Sequence, residues 1–319
     1  MRAVLVGFIL LLASCSPRTD EIVVYASVDE VYARPLFEEF TRRSGVRVLP
    51  VFDTEEAKTL GLVHRLLAEK AHPQCDVFWA GDCVRTALLK REGVLQPFQP
   101  KAGADIAAPW RDPDHAWTGF GARARVIVYN TTSVKEPPRT LSALADPKWR
   151  GRVAIANPLF GTTANHFAAL GETEALRLAA ALKANGVRVV GGNSHVRDLV
   201  ASGDCDVGLT DSDDVWIGKD RGDAIGLVYP DQEGAGTLAI PNSVALVRGA
   251  PHEENARRFI EHLLSPETER FLAASPSRQL PVRPSVSVEL SKIRTMAVDW
   301  GTLSDSEGLL DRVKRALGL

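Results

Sequence analysis

Residues 203–216, GDCDVGLTDSDDVW, constrain this chain more than any other stretch. They read as a short buried strand, Asp206-Val207-Gly208-Leu209, that opens into Asp211, Ser212, Asp213 and Asp214. In open α/β sheets, ligands sit outside the carboxyl ends of the strands. Like charges gathered there repel one another unless a cation, an array of donors or solvent offsets them. Residues 74–83, QCDVFWAGDC, have the same build: Cys-Asp-Val, apolar residues, then Gly81-Asp82. Either stretch alone also reads as a solvated polar loop. The pair predicts two similar lobes facing one cleft.

The rest of the chain supplies the lobes. Ile22-Val23-Val24-Tyr25-Ala26 is a continuous apolar run of the kind a buried parallel strand needs, and it opens into Ser27-Val28-Asp29-Glu30. An amphipathic helix follows, with Val31, Leu36, Phe37 and Phe40 on its apolar face and Gly45 as its stop. A second strand spans residues 46–51. The loop after it carries Thr54, Lys58 and Thr59, groups able either to grip a ligand or simply to cap the next helix. The order strand, helix, strand, helix, strand continues to residue 79 and predicts a parallel α/β lobe. Strands at 124–129, 153–156, 187–190, 206–209 and 226–229 build a second one. Thr162 and Thr163 stand at a helix start, as do Asn193 and Ser194. Helix amino ends present unpaired N–H groups that favour anions.

With 319 residues the chain is too long for one comfortable core and suits two domains. A formal net charge of −2 and the lack of a basic run exclude a nucleic-acid partner. Met1-Arg2-Ala3 followed by the apolar residues 4–12 is too short to span a bilayer and fits a signal segment. It ends in Leu12-Ala13-Ser14-Cys15, which resembles the lipobox of bacterial lipoproteins and implies lipid modification of Cys15. Removing Cys15 leaves Cys75, Cys83 and Cys205. An extended strand holds Cys75 and Cys83 roughly 25 Å apart, beyond disulfide reach. All three read as small core residues.

Enzyme templates fail. Gly192-Asn193-Ser194-His195-Val196 lacks the second glycine of a nucleophile elbow. There is no HExxH, no phosphate-binding loop ending in Gly-Lys-Ser/Thr and no GxGxxG. Asp211-Ser212-Asp213-Asp214 opens like a calcium loop but lacks its sixth-position glycine and twelfth-position glutamate.

The lipobox, "VVYASVDE", "DVFWAGD", "ARVIVYNT", "FGTT", "GNSHVRDLVASGDCDVGLTDSDD" and "IPNSVAL" occur in that order. Together they resemble a substrate-binding lipoprotein of a bacterial ABC importer, nearest the ferric-iron-binding branch of the type 2 periplasmic binding proteins. The resemblance covers about residues 21–285. It implies an α/β fold of two lobes, each a mostly parallel sheet flanked by helices, with the ligand cleft between them. It places Asp29 where the family has a histidine ligand, and Gly81, with Asp82 beside it, where the family has a carboxylate. Asp213-Asp214 stand in place of a pair of tyrosines. Thr162, Thr163 and Asn193 match the elements that hold a companion anion. Without the tyrosines, Asp29, Asp82, Asp213 and Asp214 remain as oxygen ligands for a hard cation or as acceptors for a cationic amine.

These readings give a signal segment over 1–15, a tether over 16–20, one lobe from 21–120 and 236–285, and a second from 121–235. Helices in 286–319 are expected on the back of the second lobe. Hinge crossings are expected at 119–122 and 234–237. The expected ligand groups are Ser27, Asp29, Thr54, Lys58, Asp82, Thr162, Thr163, Asn193, Ser194, Asp211, Asp213 and Asp214. The expected cargo is a small charged solute: ferric iron or another metal with its synergistic anion, or alternatively a polyamine, phosphonate, sugar phosphate or other zwitterion. No resident cofactor is implied. The expected partners are an ABC permease and ATPase, with the protein monomeric and lipid-anchored in the cell envelope. A ligand sensor and a metal-assisted hydrolase are the remaining alternatives.

Overall fold

The computed structural model of the chain describes residues 20–53 and 61–319. Its first unit alternates β1 (Glu21–Ser27), α1 (Glu30–Ser44), β2 (Arg47–Phe52), α2 (Gly61–Ala68), β3 (Val77–Ala80) and α3 (Val84–Arg91). Both β2 and β3 run parallel to β1, as short apolar strands separated by amphipathic helices must. The α1 stripe is Ala33, Leu36, Phe37 and Phe40. Val31, expected in that stripe, is 69% exposed. At 100° per residue it projects from roughly the opposite side of the helix, at the amino end where the chain leaves the sheet.

A two-residue strand, β4 (Leu95–Gln96), pairs with a later strand and carries too few residues to show any periodicity. Then comes β5 (Thr118–Asn130), the longest strand, buried along almost its whole length. The second unit follows with β6 (Val153–Ala156), α4 (Gly161–Ala169), α5 (Gly171–Ala184), β7 (Arg188–Val190), α6 (Asn193–Ala201), β8 (Val207–Asp211), α7 (Ser212–Asp220) and β9 (Ile225–Val228). The chain returns through β10 (Ala239–Val247) to α8 (Glu253–Leu263) and α9 (Pro266–Ala274).

The strands lie in the order β2-β1-β3-β10-β5-β8-β6-β7, with β4 beside β10 and β9 beside β5. The strand β5 joins two half-sheets. Its residues 118–124 pair with β10, and from Arg125 onward it pairs with β8 and β9. The change of partner falls between Ala124 and Arg125. The crossing expected at 119–122 lies within this strand. Gly119 lies so close to the Trp110 carbonyl that a Cβ would come within 2.6 Å of it, and Gly121 takes φ +48° opposite a bulge at Pro241/Asn242.

The tail also departs from expectation. Its helices α10 (Trp300–Leu303) and α11 (Glu307–Leu317) divide between the two units. Trp300 and Leu303 complete the apolar cluster of β3 and α2, whereas Leu310, Val313 and Leu317 pack with Leu178 and Leu182 of α5. Each short helix buries the apolar face nearest to it, so the tail spans the back of both units. Cys75, Cys83 and Cys205 are buried free thiols, and burial pushes all three up in pKa.

Candidate functional site

The apolar run of β8 ends in Thr210 and Asp211, both buried, and α7 begins at the next residue. Asp213 and Asp214 in its first turn complement the positive end of the helix dipole. Carboxylate oxygens of Asp211, Asp213 and Asp214 come within 4.8 Å of one another. The neighbouring strand β5 holds this turn residue by residue, in antiparallel order. Arg125 Nη1 donates to Asp211 Oδ1 at 2.6 Å, Ala124 N–H donates to Ser212 Oγ at 3.1 Å, and Arg123 Nη1 lies 3.7 Å from Asp213 Oδ2. Asp214 accepts from Thr210 Oγ1 at 3.2 Å and faces Arg197 at 3.8 Å.

Burial pushes Asp213 up to about 6; Arg123 opposes this and Asp211 reinforces it. Asp214 is pushed up to about 8 by burial and by the charges of Asp213 and Asp211. At neutral pH the cluster therefore holds a proton that a cation can replace.

Beneath it lies a buried polar knot. Arg125, with no exposed side-chain surface, donates from Nη1 to Thr162 Oγ1 and Asn193 Oδ1, each at 3.0 Å, and from Nη2 to Thr163 Oγ1 at 3.1 Å. Asp211 Oδ2 accepts from Thr162 Oγ1 at 2.7 Å and from Asn193 Nδ2 at 3.0 Å. The side chains of Thr162, Thr163 and Asn193 thus converge on Arg125 and the Asp211 carboxylate. Ser194, next to Asn193, is exposed.

His166 is buried one helical turn further along α4, with both ring nitrogens unpaired, and burial together with the Arg125 charge pushes it down to about 3. The unfolded chain takes up this proton near the ordinary imidazole value of 6.5. Between those two pH values the unfolded state binds more protons, so stability must fall as pH drops below 6.5. The slope from this one group reaches about 1.4 kcal/mol per pH unit. Urea unfolding between pH 7 and 4.5 checks this: His166→Gln should flatten the acid limb, and an unchanged limb would assign it to other groups.

From the first unit, Ser27 ends β1 half-buried, and the exposed Asp29 precedes α1. Tyr32, in the first turn of α1, is raised in pKa by burial and then by the charges of Asp29, Asp213 and Asp214. Asp82 is buried after β3, where its Oδ1 accepts from Arg85 N–H in the first turn of α3 at 3.1 Å. Arg123 reaches the same place: its Nη2 donates to the Gly81 carbonyl at 2.6 Å. The charges of Asp213, Asp211, Asp29 and Asp82 all hold Arg123 above the usual guanidinium range, against the cost of its burial. Thr54 and Lys58 lie outside the described residues.

The structure thus brings Asp211, Asp213 and Asp214 together, and the charges of Asp29 and Asp82 act with theirs on Arg123. It adds four groups the sequence reading did not name: Tyr32, Arg123, Arg125 and Arg197. A signal for two of them was present. Arg123 and Arg125 alternate at a period of two within the otherwise apolar run GARARVIVY, which puts two cations on one face of a buried strand.

Comparison with known proteins agrees with this architecture. The sequence profile of the family described as bacterial extracellular solute-binding proteins matches residues 80–303. Iron uptake protein A1 of Synechocystis sp. is 31% identical over 335 aligned positions, which span 96% of this chain and 90% of that protein. The major ferric iron-binding protein of Neisseria meningitidis serogroup B is 25% identical over 93% of this chain and 92% of its own length. Among solved structures, Trichodesmium IdiA (FutA) in complex with iron and citrate superposes with a TM-score of 0.81 at 25% identity, over 93% of this chain and 99% of that one. The two half-sheets joined through β5 are the two lobes of the periplasmic-binding-protein fold. With a polar cleft group at the strand ends and this match along most of its length, the chain belongs to the bacterial extracellular solute-binding proteins, a family of binding proteins and not of enzymes.

Proposed function

We propose that this protein captures ferric iron with a companion anion outside the cytoplasmic membrane and passes it to the permease and ATPase of an ABC importer. The observation that carries this reading is the convergence of Asp211, Asp213 and Asp214 oxygens within 4.8 Å, at the end of β8 and the start of α7. Hard oxygen donors of this kind suit a hard, highly charged cation. The relatives named for ferric iron and iron uptake support the same cargo. The lobes are 21–120 with 236–285, and 121–235, with the hinge crossings at 119–122 and 234–237. Among the described residues no helix is long and apolar enough to cross a membrane. Attachment is through a lipid on Cys15, and the protein acts as a monomer.

Thermal-shift measurement after removal of bound ligand tests the cargo. The panel is ferric citrate, ferric iron with phosphate or carbonate, divalent metals, polyamines, phosphonates, sugar phosphates and amino acids. A ligand bound only by the folded state stabilises it by about 2.7 kcal/mol at a hundredfold excess over its Kd. Ferric iron with an anion should raise the melting temperature, and Asp213→Asn/Asp214→Asn should abolish the shift. A response to an organic solute alone would reassign the cargo while leaving the transport role in place.

A further inference from the structure

The helix α7, which opens on the Asp213–Asp214 turn, is already fixed inside its own unit. Val215 is fully buried, and Gly218 packs closely on β9 and α6, where a Cβ would come within 2.6 Å of Ile225 Cδ1 and 2.9 Å of Arg197 Cδ. Its carboxyl end nevertheless takes a further contact, from the loop after α9. Arg278 Nη2 donates to Asp220 Oδ1 at 2.6 Å, and the same guanidinium lies 4.9 Å from the centre of the Trp216 ring. The loop that carries Arg278 is bolted to β5 and β10. Leu280 and Ala122 exchange both backbone hydrogen bonds at 2.7 Å, and Ala122 itself pairs with Pro241 of β10. Asn242 of β10 donates from Nδ2 to Gln279 Oε1 at 2.7 Å, and Glu269 of α9 accepts from Gly121 N–H at 2.8 Å. Within this loop Arg278 takes φ +43°. That region is costly for a residue with a Cβ and no short polar side chain, and an outlier of this kind persists only where the surrounding structure over-determines it. The guanidinium so placed makes both its ion pair and its ring contact on α7.

We infer that Arg278 is a positioning residue: it ties the carboxyl end of α7 to the β5–β10 half of the sheet and, acting through that helix on the Asp213–Asp214 turn, slows the release of cargo. This rests on the binding site proposed above and adds a restraint at the opposite end of the helix that carries it. Because α7 is locked in its own unit, a movement of that unit relative to β10 must shift Asp220 and Trp216 against Arg278. In the arrangement where Arg278 is engaged, Arg123 of β5 also lies 3.7 Å from Asp213 in the first turn of α7. Both ends of the helix are then held from β5 and the loop bolted to it, and opening has to break the tie. Its strength is modest. Arg278 and Asp220 are each 43% exposed, so the ion pair is weak and the ring contact adds a comparable amount, together enough to slow release by about three- to tenfold.

The test measures stopped-flow release of ferric citrate into excess chelator from the wild type, Arg278→Gly, Asp220→Ala and the double variant, with urea unfolding of each. Arg278→Gly removes the tie and the backbone strain together. Its release should quicken by about three- to tenfold while its stability to urea does not fall, since glycine takes φ +43° without steric cost. Asp220→Ala should also quicken release, and the double variant should release no faster than Arg278→Gly alone, because the two residues form one contact. Release that is unchanged or slower in Arg278→Gly, whatever happens to its urea stability, overturns the inference and leaves the iron reading standing. Small-angle scattering of the ligand-free proteins reads the tie without any cargo. A wild type that takes up no ferric citrate, beside an Arg278→Gly variant with a larger radius of gyration, overturns the iron reading and upholds the inference.

Discussion

Affinity for ferric iron supplied as citrate should rise by about tenfold for each pH unit between 6 and 8, and by up to about a hundredfold per unit below 6. The cause is the pair Asp213 and Asp214, pushed up to about 6 and about 8 in the ligand-free cleft. A carboxylate ligates a metal only when deprotonated, so one proton leaves on binding between pH 6 and 8 and two leave below 6. Above 8 both groups are ionised and the dependence should level off. Calorimetry in buffers of different ionisation enthalpy counts the released protons directly, and Asp214→Asn should remove the release seen at pH 7. Constant affinity from pH 6 to 8 with no proton released would refute the link.

The same shifts act on the ligand-free fold with the opposite sign. Both native pKa values lie above the ordinary aspartate value of 3.8, so between 3.8 and about 8 the folded state holds protons that the unfolded chain has lost. Stability contributed by these groups is present below 3.8 and falls as pH rises through that window. Asp214→Asn should accordingly raise the melting temperature at pH 8 and leave it unchanged at pH 4. Metal binding relieves the same repulsion, so ligand and mutation should stabilise by overlapping rather than additive amounts.

The second large effect belongs to Arg125. Replacing it by methionine strands Asp211 as a buried carboxylate and removes the hydrogen bonds to Thr162, Thr163 and Asn193. Breaking a buried pair by deleting one partner costs about 3–5 kcal/mol. For lobes of this size the melting temperature should drop by roughly 10 °C or more. In Arg125→Met/Asp211→Asn no charge is left unpaired, so the double variant should be much less destabilised than the sum of the two single ones. Urea unfolding of the four proteins closes this cycle; additive losses would mean that the pair is not coupled. Arg125→Met should also raise the His166 pKa, because the Arg125 charge is one of the two causes that lower it.

Much of the architecture was legible in the chain. The buried strands at 153–156 and 206–209, the parallel βαβ start and the acidic turn after β8 follow from runs of apolar residues closed by glycine or aspartate. Such signals are local, because hydrophobic periodicity and helix starts act within a few residues of sequence. The same locality explains the misses. Val31 is apolar but lies on the opposite side of the helix from Leu36, Phe37 and Phe40, so its residue type alone does not report its exposure. The sequence of the tail does not say which neighbour covers each short helix, and its two helices pack on different units.

The site divides in the same way. The aspartates at 211, 213 and 214 announced themselves, since three acids at the end of a buried run need an explanation wherever they fall. Only the tertiary structure decided what faces them. Pairing β5 against β8 in antiparallel register sets Arg125 on Asp211 and carries Arg123 to Asp213, across nearly ninety positions of sequence. That pairing turned the expected anion cradle of Thr162, Thr163 and Asn193 into a clamp on a buried guanidinium. The sequence by itself determined the class of fold and the position of the acidic turn. The charge balance of the cleft was decided by long-range strand pairing, because electrostatic energy depends on separation in space and burial, neither of which the order of residues states.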